Sequence, residues 1–426
     1  MHEFAYRKGK LYCEKVPVAE VAKRVGTPLY LYSHATILDH YRKVKSAFAP
    51  VNGLVCYAMK ANSNAAILRA LAKAGSGFDV VSGGELKKAL AAGADPRKIV
   101  YASVGKTARE IEQAIRAGIL FFNVESAQEL EQIEKVCARM GKRQRVGLRL
   151  NPEVDPHTHS FITTGHKASK FGMDFATVRS LLARRRKFPH LVFASIHIHI
   201  GSQILEARPF QEAIRKALAL IARARKEGAP IEYLNIGGGL GIVYNKENPQ
   251  TAAQYAAKVL PLLKRSGLKV ILEPGRFIVG NSGILLTRVL YLKESHSKKF
   301  AIVDAGMNDL IRPSLYGAYH EILPLTVPGT DSGSRRVPGT VKYDIVGPVC
   351  ESGDFLAQER MMAPLKAGDL LAVMGAGAYG YVMASNYNAR PRPAEVLVRG
   401  AKWHVVRRRE TPQDLARGES IPGFLR

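Results

Sequence analysis

Residues 54–85, LVCYAMKANSNAAILRALAKAGSGFDVVSGGE, decide how the chain is read. Val55, Tyr57 and Met59 alternate with Cys56 and Ala58 as a buried strand does, and Asn62-Ser63-Asn64 follow as a turn and helix N-cap. The segment NAAILRALAKAG is apolar at helical spacing and stops at glycine, and FDVVS (78–82) begins a second strand. Lys60 therefore stands at the C-terminal end of the first strand of a βα unit. By itself such a lysine can lay its stem on apolar surface and keep its ammonium in water.

Six further strands extend the pattern: IVYAS (99–103), LFFNVES (120–126), RVGLRLN (145–151), LVFASIHIHI (191–200), YLNIG (233–237) and KVILE (269–273). Amphipathic segments such as GELKKALAAG, AREIEQAIRAG and PFQEAIRKALALIARARKEG lie between them. Eight βα units predict an α/β protein built on a closed (β/α)8 TIM-like barrel, although an open doubly wound sheet has a similar local pattern. Past residue 280 the texture changes to turn-separated strands, GILLTRVLYLKES, KKFAIVDAG, KYDIVGPVCES, DLLAVMGAGAY and EVLVRGAKWHVVRR. These predict a second, all-β domain that the N-terminal strands join. The expected division is 1–35 with the β domain, 36–280 as the barrel and 281–426 as the rest of the β domain. VPGTDSGSRRVPGT (327–340) reads as an exposed, mobile loop.

Composition bounds the function. With 46% hydrophobic and 23% charged residues in 426, the chain reads as a soluble globular protein. No apolar run approaches the ~20 residues that cross a bilayer, and MHEFAYRKGKLYCEK lacks the apolar core of a signal peptide, so no membrane partner and a cytoplasmic location are expected. Cys13, Cys56, Cys137 and Cys350 form no CxxC pair, which argues against a disulfide framework or a zinc ribbon. Cys56 and Cys137 fit as small buried hydrophobes. Cys350, in VGPVCESGD, stands beside an acid and between glycines, where core packing explains it less well. The 63 Lys and Arg against 36 Asp and Glu give a net charge of +27, with clusters RRRK (184–187), RARK (223–226) and RRR (407–409). That field attracts polyanions and acidic metabolites, but no zinc-finger, RNA-recognition or helix-turn-helix pattern surrounds the clusters, so no specific nucleic-acid partner is expected.

Enzymes on this barrel place their chemistry at the C-terminal ends of the strands. Lys60, Asp79 with Ser82-Gly83-Gly84-Glu85 after it, Asn151, His199, Gly237-Gly238-Gly239 and Glu273-Pro274-Gly275-Arg276 all fall there. NIGGGLG offers unobstructed backbone N–H groups and Gly275-Arg276 adds a cation, together suiting a phosphate. A lysine after strand 1 facing a phosphate site after strands 7 and 8 is the layout for a pyridoxal 5'-phosphate Schiff base, with Glu273 to keep the ring nitrogen protonated or, alternatively, to pair with Arg276. His197 and His199 share a strand face. One of them can stack on the ring, with Ser202 reaching the phosphate; or the two can bind metal, completed by His157, His159 and His166, in a barrel hydrolase.

YAMKAN, FDVVSGGE, HIHIGSQ, NIGGGLG, EPGR, RPSLYGAYH, GPVCESGD and GAGAYGYVMASNYN occur in that order between about residues 25 and 400. Together they resemble the diaminopimelate decarboxylase family of the alanine-racemase-like, fold-type III pyridoxal enzymes. The resemblance implies decarboxylation of meso-diaminopimelate at its D-centre to L-lysine and carbon dioxide, the last step of lysine synthesis, in a homodimer with shared active sites and no metal. It implies that Lys60 carries the cofactor and that Asp79, His199, Ser202, Gly238, Gly239, Glu273, Pro274, Gly275, Arg276 and Tyr379 surround it. It further implies that Arg276, Arg312, Tyr316, Glu351 and Tyr379 hold the substrate, and that Cys350 of the partner subunit is the acid, a thiol being able to deliver a proton and remain as thiolate. Ornithine- and arginine-type decarboxylases share the fold, but their substrates have no distal carboxylate for Arg312 to meet.

Overall fold

A computed structural model describes residues 2–155, 170–327 and 339–425. The chain forms two compact units, Ile37–Val279 and Met1–Thr36 with Gly280–Arg426. In the first, β1 (Leu54–Ala58), β2 (Gly77–Val80), β3 (Ile99–Tyr101), β4 (Phe121–Val124), β5 (Gln144–Leu150), β6 (Leu191–Ile198), β7 (Tyr233–Asn235) and β8 (Lys269–Leu272) close into a barrel. Every pair is parallel, each strand lies beside the next, and β8 returns to β1. Closure decides between the two architectures that the local pattern allowed.

The elements start where small polar side chains satisfy the first N–H groups of a helix. Asn64 Oδ1 accepts from Ala66 N at 2.9 Å, Ser82 Oγ from Glu85 N at 3.1 Å and Ser126 Oγ from Glu129 N at 3.1 Å. Helices Ala108–Ala117 and Ala127–Met140 stop at Gly118 and Gly141, whose φ of 71° and 61° are left-handed. β1 ends at Ala58, one residue earlier than the apolar run, and Met59–Ala61 make a single 3-10 turn. Tyr57 OH donates to Asn62 O at 2.8 Å and Asn62 Oδ1 accepts from Asn64 N at 3.0 Å, so Lys60 rides on a braced turn rather than on the strand itself.

Glu110 shows how the rim is tied together. Its carboxylate accepts from Thr107 N at 3.0 Å, from Gly83 N on the preceding unit at 2.8 Å and from Tyr101 OH at 3.1 Å. Burial opposes its charge, but these donors outweigh burial and bring the carboxyl down to about 2. We expect Glu110→Gln to lower the unfolding free energy by about 1–2 kcal/mol at neutral pH. Because the folded-state pKa is the depressed one, the deficit is complete above the ordinary value of 4.5 and vanishes as pH falls towards about 2. Urea unfolding of both proteins across that window measures it.

In the second unit the main sheet runs, by neighbour, through Phe355–Met362, Val341–Val346, Lys298–Val303, Gly283–Ser295, Leu29–Ser33, Ala394–Arg399 and Lys402–Arg407, with Leu370–Val373 branching from Gly283–Ser295 and Ile322–Pro324 pairing with Leu370–Val373. The N-terminal strand Leu29–Ser33 is thus a central member, antiparallel to Gly283–Ser295 and parallel to Ala394–Arg399. Its period of two divides its faces. Leu29 and Leu31 join the apolar core with Ile284, Leu286, Val396 and Val398. Tyr30 and Tyr32 turn the other way, donating to Asp309 O at 2.6 Å and Glu395 Oε1 at 2.8 Å. The unit is mostly sheet rather than all β, since Val18–Val25 and Arg312–Tyr316 are helices. Most of the loop expected at 327–340 lies outside the described residues.

Candidate active site

The C-terminal rim of the barrel brings together side chains more than two hundred residues apart in sequence. Lys60 Nζ donates to Asp79 Oδ2 at 3.1 Å, the lysine being partly exposed and the aspartate fully buried. Across the barrel, Glu273 Oε1 accepts from Asn123 Nδ2 at 3.1 Å and Asn235 Nδ2 at 2.5 Å, while Oε2 lies 3.2 Å from His197 Nε2. Burial alone would raise the Glu273 carboxyl, yet His197, Lys60 and the Asn235 amide outweigh it and hold the group well below the usual carboxylate range. Asp79 goes the other way: burial, then the neighbouring Glu273 charge, raises it against the pull of Lys60. His199 Nδ1 accepts from Gly238 N at 3.2 Å, which assigns the ring proton to Nε2. Burial and the Lys60 and Arg149 cations depress its pKa well below the usual histidine value, so it is neutral.

The glycines are required by close approach. A Cβ at Gly238 would collide with Glu273 O, and at Gly239, with φ of 112°, it would meet Gly201 O at 2.6 Å. Ile204 N donates to Gly239 O at 2.9 Å, joining the loops after β6 and β7. Arg276, itself buried, donates from Nε to Ser202 Oγ at 3.1 Å and from Nη1 to Tyr244 OH at 2.8 Å. Pro274 O accepts from Ala58 N at 3.2 Å, and a Cβ on Gly275 would press Ala58 and Ala61, which brings this segment against the Lys60 turn.

This donor set fits pyridoxal phosphate. A primary amine, an ionised buried carboxylate, an uncharged imidazole and a glycine cradle beside a hydroxyl and a guanidinium stand on one rim. Among the described residues, buried Asp79 Oδ1, Asn123 Oδ1 and His197 Nδ1 have no hydrogen-bond partner, as expected of polar atoms in a site that takes a polar ligand. His197 faces Glu273 and His199 meets Gly238, and among the described residues no three His, Cys, Asp or Glu side chains gather as a metal needs. His157, His159 and His166 lie outside the described residues.

On the second unit, Arg312 Nη1 donates to His320 Nε2 at 2.9 Å and His320 Nδ1 donates to Met374 O at 2.8 Å, with both side chains buried. Tyr316 ends the Arg312 helix, whose Ser314 Oγ donates to Gly353 O at 2.6 Å in the loop that carries Cys350 and Glu351. Both of these loop residues are exposed. Tyr379 takes a left-handed φ of 55° between two turns. Asn123, Asn235, Tyr244, His320 and the pairing of His197 with Glu273 escaped the sequence reading. The two asparagines left a signal, since each interrupts an apolar strand at an inward position, in FFNV and YLN.

The basic clusters are largely engaged within the fold. Arg185 Nη2 donates to Glu227 O at 2.6 Å, Arg225 Nε to Ile231 O at 2.9 Å and Arg409 Nη2 to Pro28 O at 2.7 Å. Arg407 and Arg408 pair with Glu395 and Asp414. Among the described residues no helix is long and apolar enough to cross a membrane.

Barrel, lysine and glycine cradle define a pyridoxal phosphate enzyme, and residues 34–280 match the family described as "Pyridoxal-dependent decarboxylase, pyridoxal binding domain". Within it, the chain belongs to the diaminopimelate decarboxylase family. It is 48% identical over 421 residues to the diaminopimelate decarboxylase of Pseudomonas aeruginosa, covering 99% of each chain, and 47% identical over 406 residues to that of Aquifex aeolicus, covering 95% of this chain and 94% of the other. The crystal structure of diaminopimelate decarboxylase from M. jannaschii in complex with L-lysine superposes with a TM-score of 0.93 at 36% identity, covering 100% of both chains. That of the Helicobacter pylori enzyme, also with L-lysine, gives 0.89 at 41%, covering 94% of this chain and 98% of the other.

Proposed function

We propose that the protein decarboxylates meso-diaminopimelate at its D-centre, releasing carbon dioxide and L-lysine. The observation that carries this is the rim itself, where Lys60 and an ionised, buried Glu273 stand with the glycine cradle of a pyridoxal enzyme. When bound, pyridoxal phosphate supplies an electron sink for the pair left at Cα as the carboxylate departs. Lys60 provides the attaching amine, and Asp79 at 3.1 Å orients it. Glu273 holds a proton on the ring nitrogen. Neutral His199 offers an uncharged ring for stacking, while Ser202, Gly238, Gly239 and the Glu273–Arg276 segment take the phosphate edge.

Arg312 and Tyr316 are assigned to the substrate's distal carboxylate, Glu351 to its distal ammonium, and Tyr379 to substrate and cofactor both. The resemblance in RPSLYGAYH, GPVCESGD and GAGAYGY supports these roles, as does the burial of the Arg312 guanidinium on His320. Cys350 of the partner subunit protonates Cα. Its exposure, with Leu315, Met361 and Tyr387 at 44%, 55% and 44% exposed, supports a homodimer in which this surface meets a second copy.

The test is to add meso-diaminopimelate to the cofactor-loaded protein and follow carbon dioxide and lysine. The wild type releases the two in equal amounts. Cys350→Ala retains the visible band of bound cofactor and turns over about a hundredfold more slowly, as loss of a general acid implies. Ornithine or arginine consumed in preference to diaminopimelate would overturn the substrate assignment.

A further inference from the structure

The loop around Cys350 is built on one carboxylate that the proposed chemistry does not use. Asp354 is buried, yet it closes an exposed loop. Its Oδ1 accepts from Met307 N at 2.6 Å and its Oδ2 from Val349 N at 2.6 Å, the residue just before Cys350. Its own backbone completes the turn, with Asp354 N donating to Glu351 O at 3.0 Å and Gly347 N donating to Asp354 O at 3.2 Å. Glycines make room for it. A Cβ at Gly347 would stand 2.6 Å from Asp354 Oδ1, and one at Gly306 would stand 3.1 Å from both oxygens.

Two further bonds hold the loop from outside. Cys350 N donates to Asn388 Oδ1 at 2.8 Å, and Asn388 has a left-handed φ of 53°. Ser314 Oγ donates to Gly353 O at 2.6 Å, linking the loop to the helix that presents Arg312 and Tyr316. The thiol's backbone is therefore fixed on both sides while its side chain is left exposed.

We infer that Asp354 is a positioning residue for the Cys350 thiol, its two carboxylate oxygens clamping the Gly306–Met307 and Gly347–Val349 backbones so that the sulfur is held in one place. The inference rests on the proposed role of Cys350, and it makes a prediction about the loop that is independent of that role. In Asp354→Asn only one side-chain oxygen can accept, and the new NH2 confronts either Met307 N–H or Val349 N–H, donor against donor. The glycines on either side leave the pair no room to separate without moving the loop.

Cys13, Cys56 and Cys137 are buried, so alkylation of the native holoenzyme by iodoacetamide reads Cys350. Asp354→Asn is expected to speed that alkylation about fivefold or more, because the loop opens locally. It should also lower kcat by about ten- to a hundredfold with KM changed less than about threefold, since displacement of a reacting group by an ångström costs that much. The cofactor's visible band and its affinity stay as in the wild type, which a general loss of structure would not permit. Asn388→Gly, which suits the left-handed φ and deletes only the acceptor for Cys350 N, is expected to move both readings the same way by smaller factors, and it decides the matter if Asp354→Asn does not fold. Alkylation and kcat within about twofold of wild type in the folded variant would overturn the inference. If Cys350→Ala keeps full turnover while Asp354→Asn still speeds alkylation, the clamp stands and the thiol's proposed role fails. If Cys350→Ala is slow and Asp354→Asn leaves alkylation unchanged, the clamp fails alone.

Discussion

Lys60→Ala yields a folded protein without the visible band of bound pyridoxal phosphate and with decarboxylation slowed by about four orders of magnitude or more. The size of the loss follows from what the side chain supplies. Lys60 provides the one amine that Asp79 orients on the rim, and no other lysine takes its place on the braced Met59–Ala61 turn. The fold should tolerate the change. The ammonium is partly exposed and contributes little to stability, and Asp79, left buried without its cation, is already raised by burial and answers by taking a proton. Absorption of the purified protein after incubation with pyridoxal phosphate, beside a thermal melt, separates the two effects. A protein with the wild-type band and turnover would remove Lys60 from the chemistry. Added methylamine offers a second check, because a small free amine can replace the missing group only where the rest of the site is intact.

The sequence carried the barrel well because its signals are local. Each strand is a short apolar run, most barrel helices begin at a capping Ser, Thr, Asp or Asn, with Arg208–Lys226 starting at Ala207 and a proline instead, and repetition across eight units leaves few other folds. The rim residues were legible for the same reason, since Lys60, His199, Gly237–Gly239 and Glu273–Arg276 directly follow strands and the fold rule says what strand ends do. Less was visible wherever function depends on pairing across the barrel. Nothing local in HIHIGSQ distinguishes a histidine that faces a carboxylate from one that binds metal, and only closure of β6 against β7 and β8 sets His197 beside Glu273. Arg276 was likewise a candidate partner for Glu273 and instead reaches Ser202 and Tyr244, while Glu273 is held by Asn123, Asn235 and His197. The net charge of +27 said only that the field attracts polyanions and acidic metabolites; what the arginines of the basic clusters do locally was hidden, and Arg185, Arg225 and Arg407–Arg409 bond to carbonyls and carboxylates within the fold.

Glu273→Gln is expected to keep the cofactor and lose turnover by a factor of about 10² to 10³, the scale on which one preorganised electrostatic partner contributes. The substitution is a clean one. The new amide oxygen can still accept from Asn123 and Asn235, and the new NH2 falls where Oε2 faced His197 Nε2, a contact that persists as a hydrogen bond once the His197 ring proton moves to Nδ1, so the shape survives while the charge is removed. What disappears is the buried negative charge, which in a low-dielectric barrel is worth far more to a cationic ring nitrogen than it would be in water. Lys60 and the glycine cradle are untouched, so the visible band and the cofactor's affinity should stay close to wild type. Asp79 reports the same change from the other side. Burial and the Glu273 charge are what raise it, so deleting that charge lowers its pKa and strengthens its ion pair with Lys60. Titrating the visible band in both proteins therefore gives a reading of the charge itself, apart from turnover. Near wild-type kcat in Glu273→Gln would mean that the asparagines and His197 hold a structural carboxylate, and that the electron sink is sustained without it.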